Sequence, residues 1–195
     1  MEICKGDKIW IQGKNGSGKS TLCQLITRLY QPDSGEVLIN DINMDLYDAK
    51  SVSKKIALVA GKDILFNDTL LFNITFGKKV DIKEIIEYAK MLNIYDFINS
   101  KPDKFDFIIH ENGKNLSTGQ RRKILLLRAM MLDAEVIILD EVFNGIDKES
   151  KRRAEFMLDL VEDKTIIIIS HMPVEQMIFN KKYLVENGLL INQNA

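Results

Sequence analysis

The chain has 195 residues, 46% of them hydrophobic and 28% charged, with a formal net charge of -1. That length suits one domain with a sizeable core, and the near-neutral balance gives no broad basic field for nucleic acid or anionic lipid. The longest apolar runs, residues 136–139 and 166–169, are far too short to cross a bilayer, residues 1–7 lack the apolar stretch of a signal peptide, and Cys4 and Cys23 suit a reducing compartment as small hydrophobes.

In chain order, residues 8–11 read as a short buried strand. It runs into Gly13-Lys14-Asn15-Gly16-Ser17-Gly18-Lys19-Ser20-Thr21, which fits the phosphate-loop pattern GxxxxGK[ST] with an extra glycine at Gly16. Leu22, Leu25, Ile26 and Leu29 then recur at helical spacing and predict an amphipathic helix. Residues 36–39 predict a strand, Asn40-Asp41 a turn, residues 46–55 a weak polar helix and residues 56–60 a buried strand. From about residue 64 to residue 131 the pattern turns helical, over 82–92, over 94–98, and from a Ser117 cap to Met131. Met91, Met130 and Met131 read as core filler. Residues 136–139 and 165–169 predict apolar strands around a helix over 148–162. Tyr183-Leu184-Val185 and Leu189-Leu190-Ile191 flank Glu186-Asn187-Gly188, a hairpin signal. Apolar strands alternating with helices predict an α/β fold with a mainly parallel sheet covered on both faces.

Strand, glycine loop and helix together predict a site for a nucleoside triphosphate. The loop glycines let successive N–H groups point inward, and the helix N-terminus adds the positive end of its dipole. Lys19 is placed to reach the β- and γ-phosphates, and the Ser20 hydroxyl to ligate Mg²⁺. Asp140-Glu141 follow an apolar strand, which delivers two carboxylates to the sheet edge where phosphates bind. Asp140 is the candidate Mg²⁺ ligand and Glu141 the candidate base for an attacking water. Ser170-His171 ends the next strand in the same way, and His171 is placed to touch the γ-phosphate.

With Leu116-Ser117-Thr118-Gly119-Gln120 between the glycine loop and Asp140-Glu141, the chain resembles an ABC transporter nucleotide-binding domain over essentially its whole length. The pentapeptide is similar to the family's LSGGQ, differing at Thr118. The resemblance implies a P-loop NTPase (RecA-like) core over residues 1–61 and 132–195, a helical subdomain inserted over about 62–131, and a small, partial antiparallel β region. It implies ATP and Mg²⁺ as cofactors and ATP hydrolysis coupled to transport at the cytoplasmic face of a membrane. The partner is a second nucleotide-binding domain, in a homo- or heterodimer whose signature segment caps the other subunit's ATP. Asn144-Gly145-Ile146-Asp147 matches the loop that crosses that interface, which assigns Asp147 to it. Residues 65–74 and His110-Glu111-Asn112-Gly113 resemble exporter segments, with Glu111 carrying over as a contact to the membrane domain. Nucleic acid is not an implied partner.

Three departures qualify the likeness. Aligning residues 56–60 with the family's strand puts Gly61 where a glutamine senses Mg²⁺ and the membrane domain, with Lys62 and Asp63 offset. Restoring glutamine at Gly61 is therefore expected to raise ATP turnover. Thr118 adds bulk where a glycine approaches the partner's γ-phosphate. The adenine-stacking aromatic of the family's earlier strands has no counterpart, since Trp10 sits in the strand beside the loop and reads as core. That pattern implies either a fragment of a longer polypeptide, favoured because exporters commonly fuse this domain behind membrane helices, or a truncated gene product, and ATP affinity lower by about 1–3 kcal/mol. Gly61 and Thr118 also support an alternative: a weakly hydrolysing, degenerate half of a heterodimeric transporter.

Overall fold

The computed structural model describes residues 1–62 and 64–193; Asp63, expected just past the Gly61 position, lies outside the described residues. Five strands take up the apolar runs: β1 (Lys8–Gln12), β4 (Ile56–Ala60), β7 (Val136–Asp140), β8 (Thr165–Ile169) and β9 (Lys181–Glu186). β10 (Leu189–Asn192) returns along β9 through Asn187 and Gly188, whose φ of 50° and 77° are those the Asn-Gly turn calls for. These strands join in the order β10-β9-β1-β8-β7-β4. Among the described residues every neighbouring pair in this sheet is parallel except β10 with β9. Two short antiparallel pairs stand apart, β2 (Leu38–Ile39) with β3 (Ile42–Asn43), and β5 (Asp68–Thr69) with β6 (Ile108–Ile109).

Side chains alternate between the two faces of the main sheet, and each face has its own apolar cluster. Ile137, Leu139, Ile166 and Ile168 enter one; Ile9, Ile11, Ile138, Ile167 and Ile169 enter the other. All five residues of β8 are buried, as a parallel strand covered on both sides requires. α1 (Lys19–Ile26) covers the second face through Cys23 and Ile26. α6 (Thr118–Met131) and α7 (Lys148–Asp159) cover the first, and α3 (Leu70–Thr75) and α4 (Ile82–Met91) pack on α6. α5 (Tyr95–Asn99) follows α4 and contributes the buried Ile98. Met130 and Met131 are buried and Met91 packs against the same cluster. Trp10 stacks on Phe179 with centroids 5.6 Å apart and packs on that core. The result is a P-loop NTPase α/β fold: a mainly parallel sheet between helical layers.

Several boundaries differ from the sequence expectation. α1 stops at Ile26, because Arg28 turns left-handed (φ 58°), and Leu29 is left 65% exposed. The strand expected over 36–39 shrinks to β2, since Asn40 and Asp41 are both left-handed and close the hairpin after two paired residues. The helix expected over 46–55 starts as α2 (Ala49–Lys55), where the Asp48 carboxylate accepts from the Ser51 N–H at 2.9 Å. α7 ends at Asp159 rather than 162, and the Lys8 ammonium closes that end by donating to the Leu158 carbonyl at 2.7 Å and to that of Val161.

Candidate functional site

Register brings the candidate groups to one edge. Ile11 lies opposite Ile169, Asp140 opposite Ile169, and Ala60 opposite Asp140. The residues that follow each strand therefore come out side by side: Gly13, His171, Glu141 and Gly61. Backbone bonds lock this edge, with the Glu141 N–H donating to Ile169 at 2.9 Å, the Gly61 N–H to Asp140 at 2.8 Å and the Ser170 N–H to Ile11 at 3.2 Å.

A cavity of about 380 Å³ opens there. Asn15, Gly16, Gly18, Lys19, Ser20 and Thr21 of the glycine loop line one side, and Asp140 and Glu141 the other. Gly13 must be glycine because a Cβ would stand 2.5 Å from the Val185 carbonyl oxygen and 2.6 Å from Ser17 Oγ. Lys19 is buried, and its ammonium donates to the carbonyls of Gly13 (2.7 Å) and Lys14 (2.8 Å). The start of α1 has no side-chain cap, so its leading N–H groups stand ready for an anion. Ser17 Oγ is buried with no hydrogen-bond partner among the described residues. Open N–H groups and an orphaned hydroxyl fit a phosphate chain. Mg²⁺ takes one or two protein oxygens and completes its shell with water and phosphate, and Ser20 with Asp140 offer that donor set. Beneath the loop, burial and then the negative charge of Asp140 push the Cys23 thiol up to about 12, with Lys19 opposing.

Glu141 takes a left-handed backbone (φ 54°) that turns its carboxylate along the edge. His171 Nδ1 lies 3.0 Å from Glu141 Oε1 and 2.9 Å from Oε2, and Asn144 donates to Oε2 at 2.9 Å. The three form a cluster that no single stretch of sequence contains. The segment after His171 is held in turn by the fully buried Glu155, which accepts from the N–H groups of Glu175 (2.9 Å) and Gln176 (2.8 Å).

Gly61 lines the cavity as expected, but its missing side chain leaves no void. The guanidinium of Arg122, from α6, fills the space: a Cβ at residue 61 would fall on it and would also stand 2.5 Å from the Glu141 carbonyl oxygen. Arg122 Nη1 donates to that carbonyl at 3.3 Å. The expectation that glutamine at residue 61 raises turnover thus meets an occupied space, and this crowding argues for the opposite outcome. Sequence reading missed Arg122, because its helix position gives its face and not the distant element that its long side chain reaches.

Leu116, Ser117, Thr118, Gly119 and Gln120 do not line this cavity. They cap α6 instead. Ser117 Oγ accepts from the Gln120 N–H at 3.2 Å while Gln120 Oε1 accepts from the Ser117 N–H at 2.9 Å, a capping box. Ser117 and Thr118 are exposed. Thr118 turns its methyl toward Gly145 of its own chain, where a Cβ would meet Cγ2 at 3.0 Å. Asp147 is outside the cavity too: it caps α7 through the Ser150 N–H at 2.9 Å and pairs with Lys123 at 3.2 Å. The Ser150 N–H above all, against an opposing effect of burial and with help from the Ser150 hydroxyl and Lys123, brings its carboxyl down to about 2. Glu111 stands exposed and pairs with Lys114 at 3.2 Å.

A glycine loop opening onto two carboxylates at a parallel sheet edge defines a P-loop nucleotide-binding protein. The particular family follows from comparison: the family model described as ABC transporter matches residues 1–144, and the chain belongs to that family. The ATP-dependent lipid A-core flippase of Thiobacillus denitrificans is 34% identical over 198 residues, covering 100% of this chain and 34% of the flippase. That of Vibrio vulnificus is 37% identical over 174 residues, covering 88% and 30%. A solved bacterial Atm1-family ABC exporter with ATP bound superposes with a TM-score of 0.88 at 26% identity, over 97% of this chain and 34% of that one. The chain thus spans about a third of the length of the relatives it matches. Among its described residues no helix is long and apolar enough to cross a membrane.

Proposed function

We propose that this chain is the ATP-binding and ATP-hydrolysing motor domain of an ABC exporter. The observation that supports it is the convergence of Lys19, Ser20, Asp140 and Glu141 on one cavity. Loop N–H groups and the N-terminus of α1 bind the phosphates, and Lys19 exchanges its loop carbonyls for β- and γ-phosphate oxygens. Ser20 and Asp140 would hold Mg²⁺, which supplies charge neutralisation at the phosphates. Glu141 accepts the proton of the attacking water. An ionised carboxylate only accepts hydrogen bonds, so His171 Nδ1 donates to Glu141 and holds the base in place. The γ-phosphate contact expected of His171 then falls to Nε2, which donates when the ring is protonated.

Two copies, or this chain and a second nucleotide-binding domain, close head to tail around two Mg-ATP. Leu116 to Gln120 and Asp147 lie outside the chain's own cavity and act on the partner's nucleotide. Residues 62–131 form the helical subdomain, and exposed Glu111 with the Gly61 region face a membrane-spanning partner at the cytoplasmic side. The flippase relatives suggest an exporter of that class, with cargo chosen by the membrane-spanning part. The occupied space at Gly61 supports a second reading, a weakly hydrolysing half of a heterodimer.

Phosphate release from Mg-ATP across a protein concentration series, with Lys19→Ala as the blank, separates the two. Release per molecule that climbs with concentration is the result expected of a dimerising motor. Release at the level of the blank at every concentration overturns it in favour of the second reading.

A further inference from the structure

Among the described residues, the cationic side chains Lys19, Lys62 and Arg122 line the cavity together with the carboxylates Asp140 and Glu141. Lys19 belongs to the glycine loop and Lys62 is exposed. Arg122 arrives from a different element, α6, and can reach the site only because residue 61 has no side chain. Its guanidinium stands where that side chain would begin, with Cζ 2.6 Å from the position of a Cβ. One nitrogen is tied to the Glu141 carbonyl at 3.3 Å, which holds the planar group against the cavity wall. A guanidinium keeps its charge at all working pH values and presents parallel N–H donors matched to phosphate oxygens.

We propose that Arg122 is a phosphate-binding residue of this site, a second fixed cation that meets the terminal phosphates together with Lys19. The inference rests on the nucleotide-site reading above. An amide at residue 61 would act on the phosphates through a metal ion; a guanidinium acts on them directly. ATP binding to this chain is therefore less dependent on Mg²⁺ than a site with Lys19 alone would be. Gly61 and Arg122 form one device, since any side chain at 61 pushes the guanidinium out.

The test is equilibrium binding of ATP to the full chain, by calorimetry, in Mg²⁺ and in excess EDTA. In EDTA, Arg122→Ala should bind ATP about tenfold more weakly than the unsubstituted chain, the loss of one charge-assisted contact, while in Mg²⁺ the two differ by less than about threefold. Arg122→Lys, which keeps the charge without the fork, should fall between them, and Gly61→Ala should reproduce Arg122→Ala. Arg122→Ala within about twofold of the unsubstituted chain in EDTA, or an equal loss in both conditions, overturns the proposal. Lys19→Ala separates the two layers. Binding lost in Lys19→Ala but unmoved in Arg122→Ala rejects the role of Arg122 and leaves the nucleotide site standing. Binding that ignores Lys19→Ala rejects both.

Discussion

Gly61→Gln tests the crowding at the sheet edge. The new Cβ meets two groups, the Arg122 guanidinium and the Glu141 carbonyl oxygen at 2.5 Å. The guanidinium is the far end of a flexible side chain and can swing away. The carbonyl cannot follow easily, because the Glu141 N–H is bonded to Ile169 and the Gly61 N–H to Asp140. Overpacking of this kind costs about 1–3 kcal/mol, and the lost Arg122–Glu141 bond about 1 kcal/mol more. For a chain of this size each kcal/mol moves the melting temperature by about 2–4 °C, so Gly61→Gln should melt roughly 4–16 °C lower. ATP turnover should fall with it, since the displaced carbonyl belongs to Glu141, the candidate base. Calorimetric melting and phosphate release, with Gly61→Ala as the smaller probe, measure both. A melting point within about 1 °C of the parent together with faster turnover would refute the reasoning.

Other sites give independent tests. Arg128 is 4% exposed and donates to the Asn73 carbonyl (2.8 Å), the Ile64 carbonyl (3.1 Å) and Asn73 Oδ1 (3.3 Å), so Arg128→Met should cost about 3–5 kcal/mol in urea unfolding at unchanged slope. Arg128→Lys cannot fork to Ile64 and Asn73 together, and a variant as stable as the parent would contradict that reading. Cys4 is exposed, whereas the buried Cys23 thiol stays protonated up to about 12. Brief maleimide treatment should therefore add one label to the native chain and a second only in denaturant; two labels on the native chain would count against it. The carboxyl of Asp147 is held down to about 2 from 3.8, so its stabilisation is present above 3.8 and lost as pH falls through about 2. Asp147→Ala should cost about 1 kcal/mol of stability near neutral pH, and the gap should close towards pH 2.

What the sequence made legible is what depends on near neighbours. β4 and β8 fall on the residues their apolar runs predicted: β8 is a β-branched run buried on both faces, and β4 is a short apolar run at the sheet edge. The Ser117 cap and the Asn187-Gly188 turn follow from chemistry spanning a few residues. The glycine loop, Asp140, Glu141 and His171 reach one edge because each lies at, or within two residues of, the end of a parallel strand, so order along the chain is enough. Contacts between distant elements were not legible. Nothing around Arg122 or Arg128 says where a long side chain will end, and Glu155 reads as one more acid on a polar helix. The end of α1 was missed for another reason: Leu29 continues the helical period, and a left-handed Arg28 has no sequence signature.

The two departures at Gly61 and Thr118 belong together. Thr118 and Arg122 are four residues apart and share one face of α6. That face meets two glycines, Arg122 filling the space beside Gly61 and Thr118 approaching Gly145. Both contacts bear on the stretch from Glu141 to Asp147, at the Glu141 carbonyl and at Gly145. Bulk on the helix is matched by its absence at these two glycines, so neither departure is a simple loss. Reversing one side alone leaves a clash or a gap, and paired substitutions across this seam should be strongly non-additive. Any shift of α6 against the sheet must withdraw Arg122 and Thr118 in the same movement. The helix capped by the signature segment is thus mechanically tied to the loop that carries the candidate base, through side chains that Gly61 and Gly145 admit.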